Sequence, residues 1–346
     1  MGKILITGGL GYIGSHTCLV FLEKGYQVVA FDLLINSELK TFYNIQSILK
    51  EKNPDLVKNF SFIKGDIRDK ELLSQIFLTN RSQGNEIEGV IHFAGLKSVE
   101  HSTYDPLLYW DFNVRGTTDL LEIMNKNNCR NIVFSSSATV YGETNKDLLD
   151  EQTFLNPKNP YGDTKLAIEK ILSSLSSTQD GWRIGILRYF NPAGAHHSGK
   201  LGELQKSKSE NLFPKICSVA AKNEEKLFLN GGNWPTKDGT CIRDFFHVMD
   251  LAEAHFLAYE YLKINEDFFI FNVGSGLETS VLELIRIFEN INECKIPFEF
   301  VDRRKGDVPR LVADTKLIAS NLNWFANRDI YEICKSGWFF YKKNHK

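Results

Sequence analysis

The 346-residue sequence predicts a doubly wound α/β fold, in which helices cover both faces of a parallel sheet. Short apolar runs alternate with segments of helical periodicity through the first half of the chain. The first of these runs, KILIT, leads directly into a glycine-rich turn. Since the chain is longer than one typical domain, we also expect a smaller lobe of mixed α/β structure.

The predicted strands and helices take turns in a regular order. They are KILIT, a helix from Tyr12 to Gly25, QVVAFD, a helix before Asn53, FSFIKGD, a helix from Asp69, GVIHFAG, a helix near Asp111 to Asn127, NIVFSS, a helix after Tyr161, and RIGILRY. Such alternation is typical of βαβ units with right-handed crossovers. The strands are apolar along their length, as strands buried on both faces are.

The rhythm ends after Asn191-Pro192, where loops rich in Gly, Pro and Asn begin, such as PAGAHHSGKLGE. Further on, FFHVMDLAEAHFLAYEYL and FFIFNVGSG predict a helix and a buried strand that return to the main sheet. We therefore predict a first domain of residues 1–192 plus about 245–275. The second domain then comprises about 193–244 and 276–346.

Composition excludes several classes of function. With 42% hydrophobic and 24% charged residues, a net charge of -2 and a pI near 6.5, the chain lacks the concentrated positive charge that nucleic acids and membrane surfaces attract. No run is long enough to cross a bilayer, and no signal-peptide core follows the first lysine. The six cysteines form no CxxC pair, so we expect no metal site, reduced thiols and a cytoplasmic location.

The opening stretch ITGGLGYIGSH predicts a dinucleotide-binding turn. Gly8, Gly11 and Gly14 lie between a predicted strand and a predicted helix, and Gly9 completes a GxGxxG reading. Glycines let a pyrophosphate approach backbone N–H groups at the helix N-terminus. Asp32, at the end of the second strand, favours NAD over NADP, because a carboxylate accepts bonds from a ribose hydroxyl and repels a 2′-phosphate. The alternatives are a plain tight turn and a strand-end carboxylate.

The segment YGDTK sets Tyr161 and Lys165 on one face of a helix, four residues apart. Pro157 and Pro160 favour a helix that begins near Tyr161. To act as a base near neutral pH, tyrosine needs its pKa lowered by some three units, about 4 kcal/mol. An ammonium about 4 Å away supplies an energy of that size at an effective dielectric of about 20. A serine from NIVFSSSATVYG could relay the proton to the phenolate.

Eight segments, in order, resemble the extended short-chain dehydrogenase/reductase family over nearly the whole chain: TGGLGYIGSHT, GDIRD, IHFAGLKSV, FSSSATVYG, YGDTK, LRYFNPAGAH, DGTCIRDFFHVMDLA and RRKGDVP. Within that family the sequence is most similar to enzymes that invert C4 of UDP-hexoses. The resemblance implies a Rossmann-type NAD-binding domain with a substrate-binding lobe, and a homodimer. It also implies interconversion of UDP-glucose and UDP-galactose by transient oxidation at C4, rotation of the 4-keto sugar and re-reduction.

The resemblance also implies roles for individual residues. Catalysis falls to Tyr161, Lys165 and Ser137. The NAD site comprises Gly8, Gly11, Tyr12, Ile13, Gly14, Asp32, Asn36, Ser37, Asp66, Ile67, Phe93, Ala94, Gly95, Lys97, Asn113, Ser137, Tyr161, Lys165 and Phe190. The UDP-sugar contacts Ser137, Tyr161, Asn191, Asn211, Leu212, Arg243, Arg304, Asp307 and Leu311, with the two arginines on the pyrophosphate.

Related 4,6-dehydratases carry an acidic pair where this chain has Ala138 and Thr139, which favours simple oxidation and re-reduction here. Leu311 stands where residue size is thought to decide whether N-acetylated sugars fit, and it favours the plain hexoses. Leu33 and Asn230 also depart from the usual residues, and residues 78–88 suggest a surface-loop insertion. The open alternatives are a UDP-N-acetylhexosamine, UDP-uronic acid or UDP-pentose substrate, and a catalytically silent NAD-binding sensor.

Overall fold

The computed structural model describes residues 2–203, 211–264, 268–304 and 306–344. Its centre is a parallel sheet of seven strands, which are β1 (Lys3–Thr7), β2 (Gln27–Asp32), β3 (Phe60–Lys64), β4 (Ile87–His92), β5 (Asn131–Ser137), β6 (Arg183–Tyr189) and β11 (Phe268–Val273). Their order across the sheet is β11-β6-β5-β4-β1-β2-β3. The order reverses between β1 and β4, and such a reversal opens a crevice at the carboxyl ends of the strands.

Helices cover both faces of this sheet. They are α1 (Tyr12–Glu23), α2 (Leu39–Lys52), α3 (Lys70–Ser82), α4 (Val99–Tyr104), α5 (Pro106–Tyr109), α6 (Gly116–Lys126), α7 (Pro160–Thr178) and α9 (Val248–Ile264). Alternate residues of β1 face opposite layers: Ile4 and Ile6 join the cluster under α1, α2 and α9, whereas Leu5 joins the cluster under α3, α6 and α7. The predicted doubly wound fold is confirmed.

The smaller lobe is mixed α/β, as predicted. Its strands form short sheets that pair β7 (Asn191–Ala193) with β10 (Phe245–His247), β8 (Leu227–Asn230) with β13 (Phe298–Val301), and β9 (Ile242–Arg243) with β12 (Thr279–Ser280) and β14 (Arg310–Leu311). Its helices are α8 (Leu212–Ala220), α10 (Val281–Asn292), α11 (Lys316–Leu322) and α12 (Ile330–Asn344). Phe213, Leu284, Phe288 and Ile333 belong to a third buried cluster, which ties α8, α10 and α12 together.

The strand predicted from FFIFNVGSG is β11, and it pairs in parallel with β6. The chain therefore leaves the main sheet after β6 and returns to it as β11, which is the edge strand next to β6. β3 is the edge strand at the other end of the sheet. The domain boundaries themselves stay a prediction. Among the described residues, no helix has both the length and the apolar character needed to cross a membrane.

The predicted surface-loop insertion at residues 78–88 is wrong in extent. The first five of these residues complete α3, and the last two begin β4, which leaves a loop of four residues. Helix continues there because Asn80 is buried and its amide is satisfied by the carbonyl of Ile76 and the ammonium of Lys3. Gly84, at φ +67°, then makes the turn.

Candidate active site

A cavity of about 1030 Å³ opens at the carboxyl ends of the central strands. The ends of β1, β4, β5 and β6 form one wall, and residues of α8, β8, β9 and β14 form the other. Ligand sites of open parallel sheets lie at this edge, because the loops after the strands converge there.

The glycine turn forms one end of the cavity and is built for close backbone approach. Gly8 has φ +67°, and its N–H donates to the Phe31 carbonyl at 2.7 Å. A Cβ on Gly14 would lie 2.2 Å from the Gly8 oxygen, so any side chain there would push the turn apart. Gly11 caps α1 without a side-chain bond. The first turn of α1 therefore presents a helix N-terminus that fits an anionic group such as a pyrophosphate.

Asp32 borders the same end of the cavity and is held rigidly. Its carboxylate accepts hydrogen bonds from the backbone of Leu10 at 3.0 Å and of Leu34 at 2.8 Å, and from the Ser37 hydroxyl at 2.6 Å. A carboxylate oxygen has lone pairs beyond those that these donors use, so Asp32 fits an additional hydroxyl donor. Together the glycine turn and Asp32 fit a dinucleotide with a free ribose 2′-hydroxyl, as in NAD.

The predicted cofactor residues come together here, with one exception. Those that line the cavity are Gly8, Gly11, Tyr12, Ile13, Gly14, Asp32, Asn36, Ser37, Asp66, Ile67, Phe93, Ala94, Gly95, Lys97, Ser137, Tyr161, Lys165 and Phe190.

The exception is Asn113, which lies behind the residues that line the cavity, and its contact with NAD stays a prediction. Its amide is buried behind the wall, where Oδ1 accepts from Leu96 N at 2.8 Å and Nδ2 donates to Leu96 O and Thr164 Oγ1 at 3.1 Å. A Cβ on Gly95 would lie 2.9 Å from that Oδ1. Asn113 therefore supports the wall by joining the loop after β4 to α7.

The three predicted catalytic residues lie on β5 and α7. Ser137 ends β5, and α7 begins at Pro160, one residue before Tyr161. Asn159 fixes this start, because its side chain accepts from Gly162 N at 2.9 Å. Ser137, Tyr161 and Lys165 all border the cavity although each is at most 8% exposed. Water therefore screens charges in this part of the site weakly.

Lys165 turns towards the strand. Its Nζ donates to the Ser135 carbonyl at 2.8 Å and lies 4.8 Å from the centre of the Phe134 ring and 5.8 Å from that of Tyr161. Burial lowers the pKa of Lys165 to about 8, and the nearby carboxylate of Glu169 opposes this shift. The charged form is therefore held by one carbonyl, two rings and one carboxylate.

Burial raises the pKa of the Tyr161 phenol, and the neighbouring Tyr189 raises it further, whereas a hydrogen bond with Ser137 favours the phenolate. That Lys165 lowers this pKa stays a prediction, and in the structure the burial of the phenol acts against it. Removing the phenolate from water disfavours the charged form, and the Lys165 ammonium donates its hydrogen bond to the Ser135 carbonyl.

Thr139 is a hydrogen-bond partner of Ser137 that was not predicted from the sequence. Its backbone N–H and its hydroxyl donate to Ser137 Oγ at 3.2 and 3.0 Å. With two bonds accepted, the proton of Ser137 is free to point into the cavity and towards Tyr161. The signal in the sequence was the S-x-T spacing, since serine often accepts a bond from the backbone two residues on.

The predicted sugar-nucleotide residues line the opposite wall, namely Asn191, Asn211, Leu212, Arg243, Arg304, Asp307 and Leu311, together with Asn230. Asp307 lies 3.0 Å from a nitrogen of Arg304 and 3.9 Å from one of Arg243. One carboxylate therefore gathers two guanidinium groups at the same place, and the pair suits a diphosphate.

Glu203 was not predicted from the sequence. Its Oε1 accepts from Lys97 Nζ at 2.8 Å and from Asn211 Nδ2 at 2.5 Å, and all three residues line the cavity. Glu203 thereby joins Lys97, a predicted cofactor residue, to Asn211, a predicted sugar-nucleotide residue. Nothing in the local sequence marks this glutamate, because its partners are brought to it only by folding.

The sequence pattern of the family described as GDP-mannose 4,6 dehydratase matches residues 5–336. The chain is 41% identical over 341 residues to a UDP-glucose 4-epimerase of Bacillus subtilis, which covers 99% of this chain and 97% of the relative.

Solved structures agree with this likeness. A UDP-glucose-4-epimerase from Stenotrophomonas maltophila, with bound NAD and formylated UDP-arabinopyranose, is similar with a TM-score of 0.92 and 38% identity over 99% of this chain and 98% of that one. The UDP-glucose 4-epimerase from Bifidobacterium longum, in complex with NAD+ and UDP, gives a TM-score of 0.92 and 37% identity with the same coverage.

Proposed function

The chain belongs to the extended short-chain dehydrogenase/reductase family, and from its full-length likeness to UDP-glucose 4-epimerases we propose that it interconverts UDP-glucose and UDP-galactose with NAD as its cofactor. One observation carries the proposal. The glycine turn with Asp32, the Ser137–Tyr161–Lys165 group and the two arginines all border a single continuous cavity. The cofactor would bind at the glycine turn and Asp32, the reacting carbon would lie at the Ser137–Tyr161–Lys165 group, and the diphosphate would bind the two arginines.

NAD would be held by the glycine turn at its pyrophosphate and by Asp32 at the ribose. When bound, NAD supplies the acceptor and donor for the hydride at C4, and its positively charged nicotinamide ring favours the phenolate of Tyr161.

Ser137 and Tyr161 remove the proton of the C4 hydroxyl. Ser137, whose oxygen is held by Thr139, hydrogen-bonds the C4 oxygen and passes its proton to Tyr161 as the carbonyl forms. Lys165 keeps a positive charge near the phenolate while the proton is held there. Return of the hydride to the other face of C4, and of the proton from Tyr161 through Ser137 to the C4 oxygen, completes the inversion.

Inversion requires the keto sugar to turn over while the nucleotide stays bound. Arg243 and Arg304 provide a strong, directional grip on the diphosphate. Ala138 and Leu311 line the same cavity and offer the sugar no side-chain donors. The binding energy is thus concentrated on the part of the substrate that does not react.

The protein is also proposed to be a homodimer in the cytoplasm, serving galactose metabolism. Large apolar side chains of neighbouring helical segments are exposed: Tyr104 is 77%, Leu107 79% and Trp110 42% exposed. Such a group is typical of a buried subunit contact. The six cysteines are free thiols, which suits a reducing compartment. Light scattering of the wild type and of Leu107→Glu tests the dimer, since the variant should be monomeric, whereas an unchanged mass would reject this surface.

The decisive experiment is to incubate the purified protein, with and without added NAD, with UDP-galactose and, separately, with UDP-N-acetylgalactosamine, and to separate the products. UDP-glucose should form from the first substrate. If neither sugar changes, the proposal fails and the substrate must be sought among UDP-uronic acids and UDP-pentoses.

A further inference from the structure

A buried ion pair lies against the catalytic strand, and the mechanism above does not use it. Glu169 on α7 and Arg188 on β6 are 4% and 2% exposed. Nε of Arg188 donates to the two carboxylate oxygens at 3.0 and 3.2 Å, and Nη2 donates at 2.7 Å. Removing two charges from water is costly unless further bonds complete their surroundings. We therefore expect so deeply buried a pair to have a specific role in the protein.

Further hydrogen bonds do complete the surroundings of this pair. Ser136 on β5 donates from Oγ to Glu169 Oε1 at 2.5 Å. Nη1 of Arg188 donates to the Tyr141 hydroxyl at 3.2 Å and to the Glu151 carbonyl at 3.1 Å. The carboxylate of Glu169 thus connects α7 to both β5 and β6.

Each of the three consecutive serines of β5 has a separate partner. The carbonyl of Ser135 accepts from Lys165, the hydroxyl of Ser136 donates to Glu169, and Oγ of Ser137 accepts from Thr139. Lys165 and Glu169 are four residues apart and so share one face of α7. Two successive turns of the helix are therefore fastened to successive residues of the strand.

We propose that Glu169 is a positioning residue for the epimerisation: it holds α7 in register with the serine run and keeps a negative charge beside the Lys165 ammonium. The inference rests on the proposed function for its kinetic part only. Its electrostatic part, the effect of the Glu169 charge on the protonation of Lys165, needs no substrate and does not depend on that function.

The charged and titratable groups around Lys165 support this assignment. They are Tyr161 and Glu169 on α7 and His92 on β4, with the Phe134 ring on β5. On β6, Arg188 pairs with Glu169, and Tyr189 acts on Tyr161. Burial and the Lys165 charge lower the pKa of His92 to about 3, so that ring is neutral. Burial raises the pKa of Tyr189 to about 12, so that phenol is neutral too. Within this group, Glu169 supplies the anion.

The test is a direct titration of Lys165 in the full chain. Lysine labelled with ¹³C at Cε reports its own protonation by NMR, and Lys165→Arg identifies the resonance. In Glu169→Gln the midpoint should fall by about one pH unit, the size that a nearby opposite charge gives. Asp163→Asn is the matched control, because Asp163 is an exposed carboxylate on the same helix and its loss should leave the midpoint in place.

Glu169→Gln leaves Arg188 buried without its partner, which is strongly destabilising. A second variant, Glu169→Gln with Arg188→Met, removes both charges and avoids that penalty. The same downward direction is expected, because Glu169, and not Arg188, acts on the charge of Lys165. A folded double variant in which Lys165 titrates at the wild-type pH would overturn the proposal.

Kinetics provide the second readout. In the same variants the alkaline limb of the pH profile for UDP-galactose turnover should move to lower pH, with KM unchanged, and Glu169→Asp should restore part of the shift. A shifted Lys165 with an unmoved pH profile would show that Glu169 has no part in the reaction. If the protein epimerises no UDP-sugar, the NMR titration still decides the electrostatic part, so the two failures are distinguishable.

Discussion

Lys165 donates from Nζ to the carbonyl of Ser135 at 2.8 Å, two residues before Ser137 on the same strand. The ammonium is thereby held by the strand, 5.8 Å from the centre of the Tyr161 ring. α7 and β5 thus form one hydrogen-bonded unit, which also places the hydroxyls of Ser137 and Tyr161.

Tyr161→Phe removes the proton acceptor and leaves the buried ring. Turnover of UDP-galactose should fall by about 10² to 10⁴, the contribution of a general base, while folding and NAD binding stay close to the wild type. Product analysis and a calorimetric NAD titration check both parts. Near-normal turnover would remove Tyr161 from the proposed mechanism.

Thr139→Val removes the hydroxyl that donates to Ser137 and keeps the backbone donor. Because one hydrogen bond contributes about 1 kcal/mol, kcat should fall several-fold to about tenfold. Thr178→Val, an exposed threonine at the end of α7, is the control. Equal kcat values for both variants would mean that Ser137 is oriented without the Thr139 hydroxyl.

Asp32→Ala removes the carboxylate at the ribose end of the cavity. Affinity for NAD should drop by more than affinity for NADP, because the repulsion of a 2′-phosphate is removed together with the bond to the hydroxyl. Binding titrations with both dinucleotides measure the difference, and Asp55→Ala, an exposed carboxylate, is the control. Equal losses for the two cofactors would contradict the ribose assignment.

Leu311→Ser enlarges the cavity on the sugar side. The variant should gain turnover of UDP-N-acetylgalactosamine relative to the wild type and keep its activity on UDP-galactose. Leu317→Ser, on the exposed side of α11, is the control and should leave the ratio of the two rates unchanged. A wild type that already converts both sugars equally would show that leucine admits the acetyl group.

Acid should destabilise the protein through its buried histidines. Burial lowers the pKa of His92, His196 and His247 to about 3 and that of His16 and His255 to about 4, from an ordinary 6.5. Below pH 6.5 these histidines therefore bind protons in the unfolded chain but stay neutral in the folded chain. The free energy of unfolding should fall between pH 6.5 and about 4, each ring contributing up to about 1.4 kcal/mol per pH unit.

Urea unfolding across that pH range measures this loss. His255→Phe should make the dependence shallower, whereas His101→Phe, at an exposed position, should not. A free energy of unfolding that does not change below pH 6.5 would contradict the assignment of neutral buried rings.

The sequence predicted the sheet almost strand by strand, because apolar runs such as QVVAFD and RIGILRY are long enough to be read locally. It could not separate residues that line the cavity from those that support its wall, and Asn113 is the example. Glu203 and Thr139 were missed for the same reason: their roles depend on which side chains folding brings within 3 Å. Helical spacing placed Tyr161 and Lys165 on one face of α7 but could not give the direction of the ammonium, which donates to the Ser135 carbonyl.

The return of the chain from the smaller lobe to β11 has a consequence for dissection of the protein. A fragment that stops after residue 192 would lack β11 and α9. β6 would then be an edge strand, paired only with β5, and α1 would lose one of the helices that it packs against. Such a fragment is expected to aggregate. Conversely, a single protease cut in a loop of the smaller lobe would leave both halves of the molecule attached through the sheet.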